Sequence, residues 1–208
     1  MATAANRLTP VSDRTPAIVS IPDKELSGDQ WVNRFTGSAK LDDLIEPFQT
    51  NVRSFKSAIE AAEASVRISA TYRPVERAYM MHWSYLIAKG AKKAKDIPAL
   101  SGVNIEWDHG DEKKSIEAAK EMTSGFEIDN LKTTPALASN HTKKLAIDMT
   151  ISWKGTLTIQ NADDEAVVIE SSPRDGMNPD LIKVGASYNV IKYNRTGTDK
   201  PHWSVDGA

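Results

Sequence analysis

The chain has four histidines, His82, His109, His141 and His202, and no cysteine. A metal site in it must therefore be built from imidazole and carboxylate. Two of the four sit in chemically suggestive company. His141 follows Ser139-Asn140 and precedes Asp148 by seven residues; His202 closes the run Asp199-Lys200-Pro201-His202. Two histidines and one carboxylate make a three-ligand set with an open fourth position, as catalytic zinc requires. Asp199, three residues before His202, would be a carboxylate beside such a metal and not bound to it, placed to take a proton from water. Arg73, at the polar end of an apolar-polar alternation, could stabilise a developing oxyanion or a substrate carboxylate.

The spacing sets a condition on the fold. On one straight strand, a His and an Asp seven apart would face opposite ways, more than about 20 Å from each other. They can share an ion only if the chain turns between them, and Thr142-Lys143-Lys144 is placed to make that turn. Each residue also has an ordinary reading: a loop histidine for His141, a capping carboxylate for Asp148, a surface residue for His202. His82 lies on the apolar face of a helix with Val75, Tyr79 and Leu86, and reads as a packed, hydrogen-bonded histidine. His109, in Trp107-Asp108-His109-Gly110-Asp111, reads as part of a solvated turn. Trp203 has two open readings, core filling and substrate contact.

The elements that would position these residues are legible in the periodicity. Leu145, Ile147, Met149, Ile151 and Trp153 alternate with Ala146, Asp148, Thr150 and Ser152, the pattern of a half-buried strand with Asp148 on its polar face. Val66–Arg73 alternates likewise and stops at Pro74. Gaps of three and four through Leu41, Leu44, Ile45, Phe48, Val52, Phe55 and Ile59 predict a helix, and the helical period returns from Val75 to about Lys93. Asp111–Thr123 predicts a short helix, 156–170 a hairpin around Asn161–Glu165, Asp180–Val190 a helix, and His202–Val205 a last strand that ties down the C-terminal segment. Loss of Gly207 and Ala208 alone is expected to matter little. The sum is an α+β fold, a small antiparallel sheet with flanking helices.

Residues 1–30 are polar, carry Pro10, Pro16 and Pro22, and read as a flexible arm; residues 31–208 read as a single domain. With 26 basic and 28 acidic side chains and a formal net charge of −2, nothing points to nucleic acid or an anionic membrane as partner. No stretch approaches the roughly 18 apolar residues of a membrane span. No basic segment followed by an apolar run marks a secretory signal, so the expectation is synthesis in the cytoplasm.

Taken together, Ser139-x-His141-x-x-x-x-Ala146-x-Asp148 and the later Asp199-x-x-His202-Trp203 resemble the D-Ala-D-Ala carboxypeptidase and L-alanyl-D-glutamate endopeptidase family of zinc peptidases, whose relatives share a Hedgehog-like fold. Ala70-Thr71-Tyr72-Arg73-Pro74 resembles the family's upstream Tyr-Arg segment, so the motifs span residues 70–205 in the family's order. The resemblance implies one zinc on His141, Asp148 and His202, Asp199 as catalytic acid/base, Arg73 as the substrate or oxyanion arginine, and Ser139 as a contact to a metal ligand or to substrate. Two departures are visible: Lys144 stands where the family usually has Gly, and the stretch between Asp148 and Asp199 is long.

The function so implied is hydrolysis of a stem-peptide or cross-link amide of peptidoglycan, as carboxypeptidase or endopeptidase. A cytoplasmic product with a wall substrate needs lysis or dedicated export, which fits a phage-type endolysin or an antibacterial effector. A secretion machine or an immunity protein would then be its protein partner. The competing expectation is a zinc-containing wall-binding or structural module without catalysis, for which a carboxylate at Asp199 would have no use.

Overall fold

The computed structural model describes residues 23–193 and 199–208. Of the expected arm, residues 1–22 lie outside the described residues. Its last part is joined to the fold: β1, Glu25–Leu26, pairs in parallel with β3, Ile105–Glu106, and a 3-10 turn at Asp29–Trp31 buries Trp31.

The elements run α1 (Phe48–Ala61), β2 (Ser65–Ala70), α2 (Val75–Ala88), β3, α3 (Glu112–Gly125), β4 (Ala146–Ser152), β5 (Leu157–Gln160), β6 (Ala166–Ile169), α4 (Pro179–Ser187), β7 (Ile191–Lys192) and β8 (His202–Ser204). The architecture is mixed α+β with small antiparallel sheets. No helix among the described residues is long and apolar enough to cross a membrane.

The expected elements form for local reasons. In α1 the buried residues are Phe48, Val52, Phe55 and Ile59, gaps of four, three and four that make one stripe. The expected start at Leu41 shortens because only a 3-10 turn forms at Leu41–Asp43, ahead of Pro47 at the N-cap. α2 begins at the residue after Pro74, whose fixed φ suits a helix entrance. Asp111 is the N-cap of α3 and takes the Lys114 N–H on its carboxylate; Asn178 caps α4 in the same way through Asp180 and Leu181.

The main sheet has the order β2-β4-β8-β7, every pair antiparallel. Its apolar face meets α1 and α4 in one core around Phe55, Ile147, Met149, Ile151, Leu181 and Trp203. A second core, with Trp31, Tyr79, Met80, Trp107, Met122 and Phe126, lies between α2 and α3. At Gly185 of α4 a Cβ would stand 2.7 Å from Cζ3 of Trp203 and 3.2 Å from Phe55, so only glycine lets the helix rest on that indole.

The sheet's register is what matters for chemistry. Asp148 stands opposite Ala70 on one side and opposite His202 on the other. The predicted polar face of β4 and the predicted last strand therefore meet.

Candidate metal centre

β4 presents Asp148 on the face opposite the core residues Ile147 and Met149. Immediately before β4 the chain makes the expected turn. The Thr142, Lys143 and Lys144 N–H groups bond back to the Ser139, Asn140 and His141 carbonyls, and Leu145 N–H bonds to the Asn140 carbonyl. Lys144 closes it with φ +63°, a left-handed conformation that favours glycine. The turn that glycine would make is thus made by a lysine, whose ammonium lies 4.7 Å from the Tyr72 ring centroid.

Turned back in this way, His141 meets Asp148 and His202. Nε2 of His141 lies 3.2 Å from Oδ1 of Asp148 and 3.2 Å from Nδ1 of His202; Nδ1 of His202 lies 3.3 Å from the same Asp148 oxygen. The two imidazoles are buried, and Asp148 is partly so.

The other nitrogen of each ring is committed to a main-chain oxygen. Nδ1 of His141 is 3.3 Å from the Thr71 carbonyl, and Nε2 of His202 is 3.2 Å from the Ala208 oxygen. A carbonyl oxygen can only accept, so each of those nitrogens carries the hydrogen. In the neutral rings, Nε2 of His141 and Nδ1 of His202 are then bare lone pairs, directed at each other and at a carboxylate oxygen. Three electron pairs at this spacing repel unless a proton or a cation lies among them.

The spacing suits a metal ion. Zinc bonds of about 2.0–2.2 Å in a tetrahedron separate neighbouring ligand atoms by about 3.3–3.6 Å, close to all three edges here. The orienting hydrogen bonds on the far nitrogens are the usual supports of metal-binding imidazoles. The three side chains can therefore hold a metal ion.

Those supports are built into the fold. Thr71 is wholly buried, and its hydroxyl donates to the Ser38 and Lys40 carbonyls at 3.1 and 2.9 Å. The Ala208 oxygen also accepts from Asn140 at 2.8 Å and from Ser204 at 3.2 Å. Against the expectation that loss of Gly207 and Ala208 matters little, the Ala208 oxygen is the acceptor for Nε2 of His202.

Electrostatics follow from the crowding. Burial alone would raise the Asp148 carboxyl, but hydrogen bonds and charge from His141 and His202 outweigh it and hold it well below the carboxylate range. Burial likewise opposes charge on His202, yet the hydrogen bond to Asp148 and the charges of Asp148 and Asp199 raise it above its ordinary value.

Asp199 lies with Oδ2 4.0 Å from Nδ1 of His202, its side chain half exposed. Burial and then the negative Asp148 push it above its ordinary value. It stands beside the ligand triangle and open to solvent.

The remaining expected residues fall as follows. Arg73 is joined to the site through its main chain, its N–H donating to the His141 carbonyl at 3.3 Å. Among the described residues its guanidinium makes no hydrogen bond or ion pair. Ser139 starts the turn, and its buried Oγ has no hydrogen-bond partner among the described residues.

Of the two readings of Trp203, the structure shows core filling. It is fully buried and packs on Phe55 with ring centroids 5.4 Å apart, because neighbours of His202 along a strand point to the opposite face. It is a core residue and cannot touch a substrate. His82, at 2.7 Å from the Pro135 carbonyl, and His109, at 3.0 Å from the Ser27 hydroxyl, are hydrogen-bonded away from the triangle.

Lys192 was not anticipated. It is 2% exposed, and its ammonium donates to the carbonyls of Lys200 and His202. Burial lowers it to about 8, against the opposing pull of Asp199, Asp148 and Asp175.

Compared with known proteins, the chain matches no protein-family model and no curated protein.

Proposed function

We propose that this chain is a zinc-dependent peptidase that hydrolyses an amide of peptidoglycan stem peptides or cross-links, with a Hedgehog-like core holding its site. One observation carries the reading. Two imidazole nitrogens and a carboxylate oxygen converge at 3.2–3.3 Å, with a second, half-exposed carboxylate 4.0 Å from one of the nitrogens. Support for a wall peptide comes from the order and spacing of the motifs around Arg73, His141, Asp148, Asp199 and His202, which resemble those of the wall-cutting zinc peptidases.

His141, Asp148 and His202 would hold the zinc, one per chain. Bound there, zinc supplies Lewis acidity and makes water a better nucleophile near neutral pH. Asp199 takes a proton from the attacking water and passes it to the amine as the C–N bond breaks, so one water is consumed per cut. Its raised proton affinity suits both halves of that task. Arg73 holds a substrate carboxylate or the developing oxyanion. Lysis or dedicated export would bring the protein to its substrate.

The experiment is mass spectrometry of purified peptidoglycan fragments after incubation with zinc-loaded protein. Hydrolysis of a peptide amide is expected for the natural chain. Asp199→Asn should keep its zinc and lose about 10²- to 10⁴-fold in turnover. Intact peptides with a zinc-loaded natural chain would refute the peptidase reading and leave a metal-binding module.

A further inference from the structure

The segment that carries both Asp199 and His202 is held in an unusual way. β8 begins only at His202, and Pro201 has no N–H to give to a ladder. The three consecutive carbonyls of Lys200, Pro201 and His202 are nevertheless each tied down. The Pro201 carbonyl takes the Met149 N–H at 2.8 Å. The carbonyls on either side of it, Lys200 and His202, both accept from one ammonium, that of Lys192, at 3.0 Å in the case of His202. The His202 carbonyl also accepts the Tyr193 N–H at 3.1 Å.

That ammonium is costly to bury. It lies beneath the segment, 5.0 Å from the centroid of the Trp203 ring, on a residue almost without solvent contact. A desolvated charge is tolerated only when hydrogen bonds satisfy it. A methionine would fill a similar space without that cost. What the lysine adds is directional: two bonds from one fixed point to two carbonyls that bracket the peptide leading into His202. Fixing those carbonyls fixes where the His202 ring leaves the main chain, hence where Nδ1 meets Asp148 and His141.

We infer that Lys192 is a positioning residue of the metal centre, a buried clamp that sets the Lys200–His202 main chain so that His202 completes the ligand triangle. The inference rests on the metal reading above. It assigns Lys192 no contact with substrate or metal.

The test is cobalt(II) and zinc binding by the full chain, followed by chelator competition and by the d–d absorption of the cobalt form. Lys192→Met removes the bonds and keeps the bulk; Lys192→Gln shortens the side chain so that one amide cannot reach both carbonyls. Each folded variant is expected to bind metal about 10- to 100-fold more weakly than the natural chain, the usual cost of losing an outer support of a metal ligand. Each should also shift the cobalt spectrum, which a change in stability alone would not move. Lys183→Met, on the exposed side of α4, should match the natural chain in both.

A folded Lys192 variant with natural affinity and spectrum overturns the inference and leaves the metal reading standing. If neither variant folds, Lys192 serves the fold, and the positioning role is overturned. If the natural chain binds neither metal, the metal reading itself fails and takes the inference with it.

Discussion

Stripping the metal should destabilise this protein more at pH 8 than at pH 6. In the metal-free chain, His202 is raised above its ordinary value by its bond to Asp148 and by the charges of Asp148 and Asp199, against burial. A group raised on folding contributes stability that is complete below its unfolded value, about 6.5, and is lost as pH rises through the folded value. Asp148 is depressed, so its contribution is present above about 3.9 and is lost only in acid. The ion pair therefore supports the metal-free fold at pH 6 and less so at pH 8. Metal binding runs the other way, because the imidazoles must be neutral to bind and protons are released. With free zinc at about 100 to 1,000 times its dissociation constant at pH 8, mass action adds about 2.7–4.1 kcal/mol. For a domain of this size that is about 5–16 °C in Tm, at about 2–4 °C per kcal/mol. Each pH unit below the folded value of His202 weakens binding up to about tenfold, or about 1.4 kcal/mol, and so narrows the gap by about 3–6 °C. Scanning calorimetry with and without a chelator at both pH values measures it. An equal gap at the two values, or a wider one at pH 6, would refute the reasoning.

Three further outcomes follow from the geometry. Deleting Gly207 and Ala208 removes the acceptor for Nε2 of His202 and should weaken zinc about 10- to 100-fold in metal-buffer titrations; unchanged affinity would show that the Ala208 oxygen does not orient the ring. Gly185→Ala drives a methyl to 2.7 Å from the Trp203 ring and should cost about 1–3 kcal/mol in urea unfolding; an unchanged midpoint would mean that α4 shifts freely on the sheet. Lys144→Gly relieves the φ of +63°, worth about 1–2 kcal/mol, but loses the contact with Tyr72 and adds unfolded-chain entropy, each about 0.5–1 kcal/mol. It should therefore melt close to the natural chain, whereas Lys144→Val at the same φ should be clearly less stable.

What could be read from the residues, and what could not, divides along physical lines. β4 was legible because strict alternation over Leu145–Trp153 marks one face for a core, and that placed Asp148 on the other. α1, α2, α3 and the β5–β6 hairpin were legible from period and caps. The meeting of His141, Asp148 and His202 was legible only as a condition, that the chain turn at Thr142–Lys144; spacing alone does not set the register that puts His202 opposite Asp148. Trp203 was ambiguous because the face of a three-residue strand depends on its partners, here Ile147 and Lys192. Lys192 was invisible, since a lysine beside an isoleucine after a helix reads as solvated, and only the carbonyls of a segment eight to ten residues away make its burial tolerable. The pairing of Glu25–Leu26 with Ile105–Glu106 was equally hidden: two-residue strands carry no period.

The claim on which all of this depends is that His141, Asp148 and His202 together hold one divalent metal. Elemental analysis after exhaustive dialysis, on the natural chain, His202→Ala and His109→Ala, tests it most directly. The expected result is close to one zinc per chain in the natural protein and in His109→Ala, and essentially none in His202→Ala. Full zinc occupancy in His202→Ala, or none in the natural chain supplied with zinc, would contradict it.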